Sequence, residues 1–325
     1  MARLHSPTLH RQAKELLERY ADAPRKLVLL HTVIALGLPL LVTVLNFLLE
    51  TQVAKTGGLS GMATRSVLAT AQSVLDTGVV ILLPFWEVGL LFAALRWRRG
   101  HSADKSYLLE GFRRFVNVFA LRFWSGVLFV FIGFTAFQIS MFLFTMTPWA
   151  KPVMELFSPL GEAATPEQLT EMLTPELVNQ LMDRMTPLFI LFGVLFAAVC
   201  IPLSYRLRFA DFILLEGEGG IRSMVRSFQM TRGSCLQIFK LDLHFWWFYL
   251  LHILCLVICY GDSILALVGV TLPISETASA FLFYGLGVLL LMLLFWRYQS
   301  ERLTTYCLAY DDLQPQPVND IPLEM

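Results

Sequence analysis

The feature that most constrains this chain is a set of six apolar stretches, each about long enough to cross a bilayer. A membrane-spanning helix needs about 20 mostly apolar residues, because about 30 Å of hydrocarbon is crossed at about 1.5 Å per residue. The stretches that qualify are residues 27–49, 78–95, 118–144, 187–204, 241–260 and 278–296. Each must be helical, since lipid offers no hydrogen-bond partner to exposed backbone groups. The sequence therefore predicts an all-α, polytopic membrane bundle of six transmembrane helices.

The composition argues against a water-soluble protein. The 325 residues are 56% hydrophobic and 15% charged, with a mean hydropathy of +0.62. In an average soluble domain, by contrast, about a quarter of the residues are charged. The formal net charge is zero, so charge gives no reason to expect nucleic acid as a partner.

Lysine and arginine are distributed unevenly among the connections, and this distribution predicts the orientation. The N-terminal segment, the second connection and the fourth connection each carry six of these residues. The first and third connections carry two each, and the fifth carries none. Because Lys and Arg accumulate in cytoplasmic loops, we expect both termini on the cytoplasmic side.

A short amphipathic segment precedes each odd-numbered span, at residues 11–20, 107–115 and 221–230. Apolar residues at i, i+3 and i+4 with bases opposite are typical of helices that lie in the headgroup layer. The arrangement has two possible origins. Either one unit is repeated three times, or the three segments are alike only because each meets the same physical requirements at the membrane surface. We predict a cytoplasmic amphipathic segment over 1–26 and a membrane domain over 27–313, with an outer connection at about 148–186. A disordered cytoplasmic tail follows over 314–325, where three prolines occur.

The outer connection contains two helix-start patterns, at Thr165 and Thr174. In each, threonine is the N-cap, proline takes the first helical position, and a glutamate lies near the positive end of the helix dipole. These patterns predict two short helices on the outer surface. A lid over a substrate cavity is the alternative.

Glu87 and Arg122 are ionisable residues inside predicted spans two and three. Such groups cost about 2.5–3.5 kcal/mol on insertion scales, so they normally face the bundle interior and pair. Glu87 lies nine residues before Arg96, and Arg122 eight residues after Arg114. At about 1.5 Å per residue, both lie about 12–14 Å inside the same boundary. We therefore predict an intramembrane ion pair between them, which is either structural or a relay for protons or substrate.

Asp242 and His244 lie near the cytoplasmic end of predicted span five. Residues two apart on a helix face different directions, so they do not form an acid–base pair by themselves. We expect Asp242 to meet Arg206 or Arg208 instead, forming a polar anchor for the helix end. A functional site is the alternative interpretation.

Cysteine and histidine residues in predicted span five have a spacing that could suit a metal ion. His252, Cys255 and Cys259 follow i, i+3, i+7 spacing, and one helix face could therefore offer soft metal ligands. A fourth ligand is not evident, and cysteine is common in apolar packing, so we predict no metal site. No nucleophile signature or phosphate-binding loop occurs in the sequence, and we predict neither a catalytic residue nor a cofactor.

The segment 221–230 and its neighbours carry three arginines beside apolar residues: Arg222, Arg226 and Arg232. Bases near a membrane surface attract anionic headgroups at about 1 kcal/mol each. They are candidate lipid-headgroup contacts, although the cytoplasmic loops of a membrane protein are rich in such residues in any case.

Residues 226–233 (RSFQMTRG) and 239–245 (FKLDLHF) resemble the signature of a bacterial integral membrane family, domain of unknown function 975. Gly89 before the turn at 96–100, the segment 109–112 (LEGF) and Ile201-Pro202 also fit that pattern. The resemblance extends over about residues 10–313. It implies six spans in a bacterial cytoplasmic membrane and no established activity.

The leading hypothesis is therefore an integral membrane protein without a catalytic site that binds lipids or partner proteins in the bacterial cell envelope. Its expected partners are membrane lipids, with protein partners or a homo-oligomer as alternatives, and no nucleic acid. The rival hypothesis is a transporter or permease subunit that uses the polar residues of spans two, three and five.

Overall fold

The structure is a computed structural model that describes residues 6–20, 22–54, 59–102, 104–161, 174–267 and 275–314. Within those ranges every regular element is a helix and no strand occurs. Among the described residues, five helices are long and apolar enough to cross a membrane, and a bent helix pair makes a sixth if it counts as one span. The predicted fold class, an all-α polytopic membrane bundle, is confirmed.

The described ranges contain thirteen α-helices. In chain order they are α1 (Ser6–Glu18), α2 (Ala23–Ala54), α3 (Leu59–Arg98), α4 (Glu110–Arg113), α5 (Phe115–Thr145), α6 (Ala150–Gly161), α7 (Pro175–Arg206), α8 (Ala210–Leu215), α9 (Gly220–Met230), α10 (Cys235–His244), α11 (Trp246–Cys259), α12 (Gly261–Leu267) and α13 (Glu276–Leu313). A 3-10 turn over Lys105–Leu109 precedes α4.

Several helices continue well beyond the predicted spans. Helix α3 is 40 residues long, about 60 Å at about 1.5 Å per residue. No proline interrupts residues 59–83, so nothing ends the helix where the apolar stretch begins. Helix α13 likewise continues past residue 296 to Leu313. The predicted tail from residue 315 onward lies outside the described residues.

Helix α7 corrects the prediction of a second short outer helix. The Thr174 side chain accepts a hydrogen bond from the backbone N–H of Leu177 at 3.3 Å, so the predicted N-cap is present. The helix then runs without a break through Pro187 and Pro202 to Arg206. The segment is therefore the start of the fourth spanning helix. The other pattern, at Thr165, lies outside the described residues.

The predicted fifth span is bent. Helices α10 and α11 meet at Phe245 with an angle of 63° between them. The backbone N–H of Phe245 bonds to the carbonyl of Asp242 at 2.9 Å, a short i to i−3 turn. Helix α11 alone has 14 residues, about 21 Å, which is less than the thickness of a bilayer core.

The predicted amphipathic segments differ in their structure. The first lies mostly in α1, whose Leu9 and Ala13 are buried, and α1 packs against α13 and α10. The third coincides with α9. The second is broken into the 3-10 turn and α4, and at Arg114 the backbone leaves the helical region before α5 begins. Whether any of them lies in the headgroup layer stays a prediction.

The described chain divides into two compact units, and the first comprises Met1–Arg122 with Arg208–Met325. In this unit the Trp97 indole N–H donates to the Thr304 hydroxyl at 3.0 Å, and this buried bond joins α3 to α13. Two glycines permit close backbone approach: a Cβ at Gly89 would meet the backbone of Leu108, and one at Gly111 would meet the backbone of Phe85.

The second unit, Phe123–Leu207, contains most of α5 together with α6 and α7. Its core is a cluster of four buried residues, Phe144, Ala150, Val153 and Leu188. The Arg184 guanidinium donates to the carbonyl of Pro152 at 2.8 Å and so links α7 to α6.

Much of the apolar surface of the spanning helices is not covered by protein. In α5, Val130, Phe131 and Phe134 are 62–72% exposed. Contiguous apolar surface of this kind is unfavourable in water, and lipid tails solvate it. The exposed aromatic and aliphatic side chains agree with membrane residence.

Candidate functional site

The first polar cluster surrounds Arg122 in α5. The Arg122 Nη2 lies 3.6 Å from a carboxylate oxygen of Glu87 in α3 and 3.2 Å from one of Asp211 in α8. The structure thus brings together the two residues that the sequence paired, and it adds a third. Asp211 is the closer partner. Sequence reasoning missed it because it lies outside every predicted span, on a helix of six residues that follows α7.

The second cluster lies at the bend between α10 and α11. The Arg208 guanidinium donates to Oδ1 of Asp242 at 3.2 Å, and the Tyr249 hydroxyl donates to the same oxygen at 2.9 Å. Arg302 in α13 donates to the Tyr249 hydroxyl at 3.3 Å. Arg208, one of the two predicted candidates, is therefore paired with Asp242. Arg206 is the last residue of α7 and is partly buried.

These contacts connect the two helices that meet at the bend. Asp242 belongs to α10 and Tyr249 to α11, so their hydrogen bond crosses the break in the helix. Arg302 also lies over the ring of Phe248, with 4.9 Å to the ring centroid. A carboxylate shared by a guanidinium and a phenol leaves its charge compensated in a partly buried site.

His244 faces away from Asp242 and belongs to a third cluster. Its ring packs edge-on against the ring of His10 in α1, with 4.6 Å between centroids. The His10 Nε2 lies 3.0 Å from the buried carboxylate of Glu301, and the Lys14 Nζ lies 3.4 Å from it. Burial lowers the pKa of His10 below its usual value, His244 and Lys14 lower it further, and Glu301 opposes them.

The three arginines predicted to contact headgroups lie on or just after α9, and all are exposed. Arg226 lies 2.7 Å from the carboxylate of Glu218. Arg222 and Arg232 have no acidic partner within the part of the chain that the structure describes. Ile221 and Val225, on the same side of the helix, are each 53% exposed, whereas Ser223 and Ser227 are buried. The outward face of α9 therefore combines guanidinium groups with aliphatic side chains.

A fourth feature is a cavity of about 440 Å³ lined by three arginines, Arg96, Arg99 and Arg114, together with Glu216. Phe92 and Leu215 form part of its wall. We call it the arginine pocket. In the sequence, these arginines indicate only the orientation of the chain in the membrane. The three arginines converge because α3 approaches the segment 105–113 closely. In the sequence, the glycines at 89 and 111 are the residues that indicate this close approach.

The pattern His252, Cys255 and Cys259 does not form a ligand cluster. The His252 ring lies 5.5 Å from the ring of Phe295 and 6.4 Å from that of Phe248, centroid to centroid. Over the described ranges, no three His, Cys, Asp or Glu side chains lie together in a way that could hold a metal ion.

No family model, no curated protein and no solved structure matches this chain. The resemblance to domain of unknown function 975 stays a prediction.

Proposed function

We propose that the protein is a non-enzymatic component of the bacterial cytoplasmic membrane that binds anionic lipid headgroups through the outward face of α9. Both termini lie in the cytoplasm in this proposal, because the basic connections fall on that side of the membrane. In this proposal the protein acts in the bacterial cell envelope by binding membrane lipids.

The observation that supports the proposal is the composition of the exposed face of α9. Ile221 and Val225 are half exposed beside Arg222 and Arg226. Aliphatic side chains are unfavourable in contact with water, whereas they are favourable at the boundary between lipid headgroups and acyl chains. Each free base near an anionic surface adds about 1 kcal/mol.

Charge pairing ranks the three arginines. Glu218 offsets the charge of Arg226, so that side chain contributes less to attraction of an anion. Arg222 and Arg232 have no such partner in the described chain. In this proposal they carry most of the headgroup affinity.

Native mass spectrometry of the protein released from nanodiscs that contain zwitterionic and anionic lipids tests the proposal. We expect the wild type to retain anionic lipid, and the double variant Arg222→Gln/Arg232→Gln to retain much less. The control is Lys105→Gln/Arg113→Gln, which removes the same charge from two other exposed bases. Equal loss in both variants, or equal retention of both lipid classes, would contradict the proposal. A retained protein subunit would favour a role as a protein-binding component.

The bend at Phe245 favours one alternative, a transporter or permease subunit. Broken helices with polar groups at the break are typical of substrate and ion sites in transporters. The cluster of Arg208, Asp242 and Tyr249 lies at such a break. In this alternative, proteoliposomes loaded with a pH-sensitive dye take up protons, and Asp242→Asn stops the uptake. Equal uptake by empty liposomes would exclude proton transport.

A further inference from the structure

The arginine pocket contains more positive than negative charge. Three guanidinium groups and one carboxylate line it. Two of the guanidinium groups are paired: Arg99 with Glu216 at 2.5 Å, and Arg114 with Glu110 at 3.2 Å. Arg114 also donates to the backbone carbonyl of Leu214 at 3.0 Å.

Arg96 is the unpaired cation. It has no acidic partner among the residues that the structure describes, and its buried Nε has no hydrogen-bond acceptor there. The guanidinium carbon lies 5.1 Å from the ring centroid of Phe92 and 6.0 Å from that of Tyr107. Stacking on aromatic rings holds the planar group in place while leaving its donors available.

Glu216 sets the position of a second donor. It accepts hydrogen bonds from the Tyr310 hydroxyl at 2.7 Å and from the Gln314 amide at 2.8 Å, as well as from Arg99. The carboxylate is thus fixed by α13, and it fixes Arg99 at the pocket wall. Arg114 is held in the same way from α4 and α8. All three guanidinium groups are therefore positioned before any ligand binds.

We propose that the arginine pocket binds a phosphate-bearing anion and that Arg96 is the residue that contributes most to its binding. Guanidinium groups match the oxygen geometry of phosphate better than any other side chain and form charge-assisted hydrogen bonds with it. The volume of about 440 Å³ lies within the range of about 300–1,000 Å³ that is usual for small-molecule sites. The same chemistry occurs in a free phosphate and in the headgroup of a phosphomonoester lipid. The proposal does not rest on the role of α9.

Titration calorimetry of the full chain in a neutral detergent tests this inference. The probes are inorganic phosphate and dihexanoyl phosphatidic acid, with dihexanoyl phosphatidylcholine, whose headgroup is zwitterionic and carries no net charge, as the control. We expect both anions to bind and the control to fail. At least about tenfold tighter binding of phosphatidic acid than of phosphate would identify the lipid as the natural source, and equal binding would identify the free anion.

Three variants locate the site. Arg96→Gln is expected to weaken the binding of both anions by about tenfold or more, because charged hydrogen bonds are lost. Arg113→Gln, an exposed neighbour of the pocket, should leave affinity unchanged. Glu216→Gln should strengthen binding several-fold, since it removes the opposing charge while keeping an amide oxygen that can still accept a hydrogen bond from Arg99; a misfolded protein could not show this gain. Absence of binding by both anions, or equal affinity in Arg96→Gln and Arg113→Gln, would overturn the inference.

Discussion

The Nη2 atom of Arg122 lies 3.2 Å from the carboxylate of Asp211, closer than to the carboxylate of Glu87. The Asp211 side chain is 17% exposed, whereas that of Glu87 is 59% exposed. The strength of an ion pair increases as the distance between its charges decreases and as the charges become more buried in protein. Asp211 is therefore the stronger partner, although only Glu87 lies in a predicted span.

This ranking predicts the outcome of two charge-removing substitutions. Asp211→Asn should lower the free energy of unfolding by about 1–2 kcal/mol, and Glu87→Gln by less than about 1 kcal/mol. Thermal unfolding in detergent measures both. Double-mutant cycles with Arg122→Gln should give a larger coupling energy for Asp211 than for Glu87. A larger coupling energy for Glu87 would contradict the ranking.

The two backbone contacts of Gly89 and Gly111 predict that a single methyl group disrupts the packing of α3 on the segment 105–113. In Gly89→Ala the new Cβ would meet the backbone carbonyl of Leu108, which cannot move away as a flexible side chain can. We expect a loss of about 2 kcal/mol or more in stability. Loss of the arginine pocket should accompany it, since Arg96 lies on α3 and Arg114 directly follows the segment that would separate from α3.

Gly78→Ala is the matched control for this prediction. Gly78 lies in the same helix, and a Cβ there meets nothing within 4 Å. Because alanine is a better helix former, this variant should gain up to about 1 kcal/mol. Equal melting temperatures of the Gly89 and Gly78 variants would show that the close approach is not present in solution.

The hydrogen bonds of the Tyr249 hydroxyl at the bend of the fifth span predict a third effect on stability. Tyr249→Phe removes the donor to Asp242 and the acceptor for Arg302. We expect a loss of about 1–2 kcal/mol in the free energy of unfolding. The control is Tyr260→Phe, since the Tyr260 side chain is 67% exposed. If both variants unfold at the wild-type temperature, the hydrogen bond across the bend contributes nothing to stability.

The fold class could be predicted from the sequence because apolar length decides it. Residues 118–144 and 278–296 were predicted as spans, and both lie within long helices, α5 and α13. The N-cap at Thr174 was also predictable, since its chemistry is local. The helix that follows it was not, because residues 175–186 are polar enough for a surface segment but contain nothing that ends a helix.

The bend and the arginine pocket could not be predicted in the same way. The apolar stretch 241–260 has no proline or glycine before its end, and the polar partners at the break, Arg208 and Arg302, come from distant elements. The pocket likewise depends on packing between α3 and the segment 105–113. Arg122 and Glu87 lie at one predicted depth and meet, whereas Asp211 enters from a helix with no span signal.

The environment of His10 predicts a pH dependence of stability. The groups that face its imidazole are Glu301 from α13, Lys14 from its own helix and His244 from α10. Burial holds the pKa of His10 below the usual 6.5, with His244 and Lys14 acting in the same direction. The folded protein therefore binds fewer protons at this position than the unfolded chain. Stability from this group is present above about pH 6.5 and falls as the pH decreases toward the lower pKa of the folded state.

Replacing His10 by glutamine removes the titrating group and keeps a polar side chain opposite Glu301. We expect the melting temperature to decrease between pH 7.5 and 5 by less in His10→Gln than in the wild type. The difference between the two decreases corresponds to the protonation of one imidazole. His101→Gln, at an exposed position, should keep the full wild-type dependence. A steeper acid-side decrease in His10→Gln would mean that the imidazole is charged in the folded protein and stabilises Glu301, the opposite of the effect expected from its burial between α1, α10 and α13.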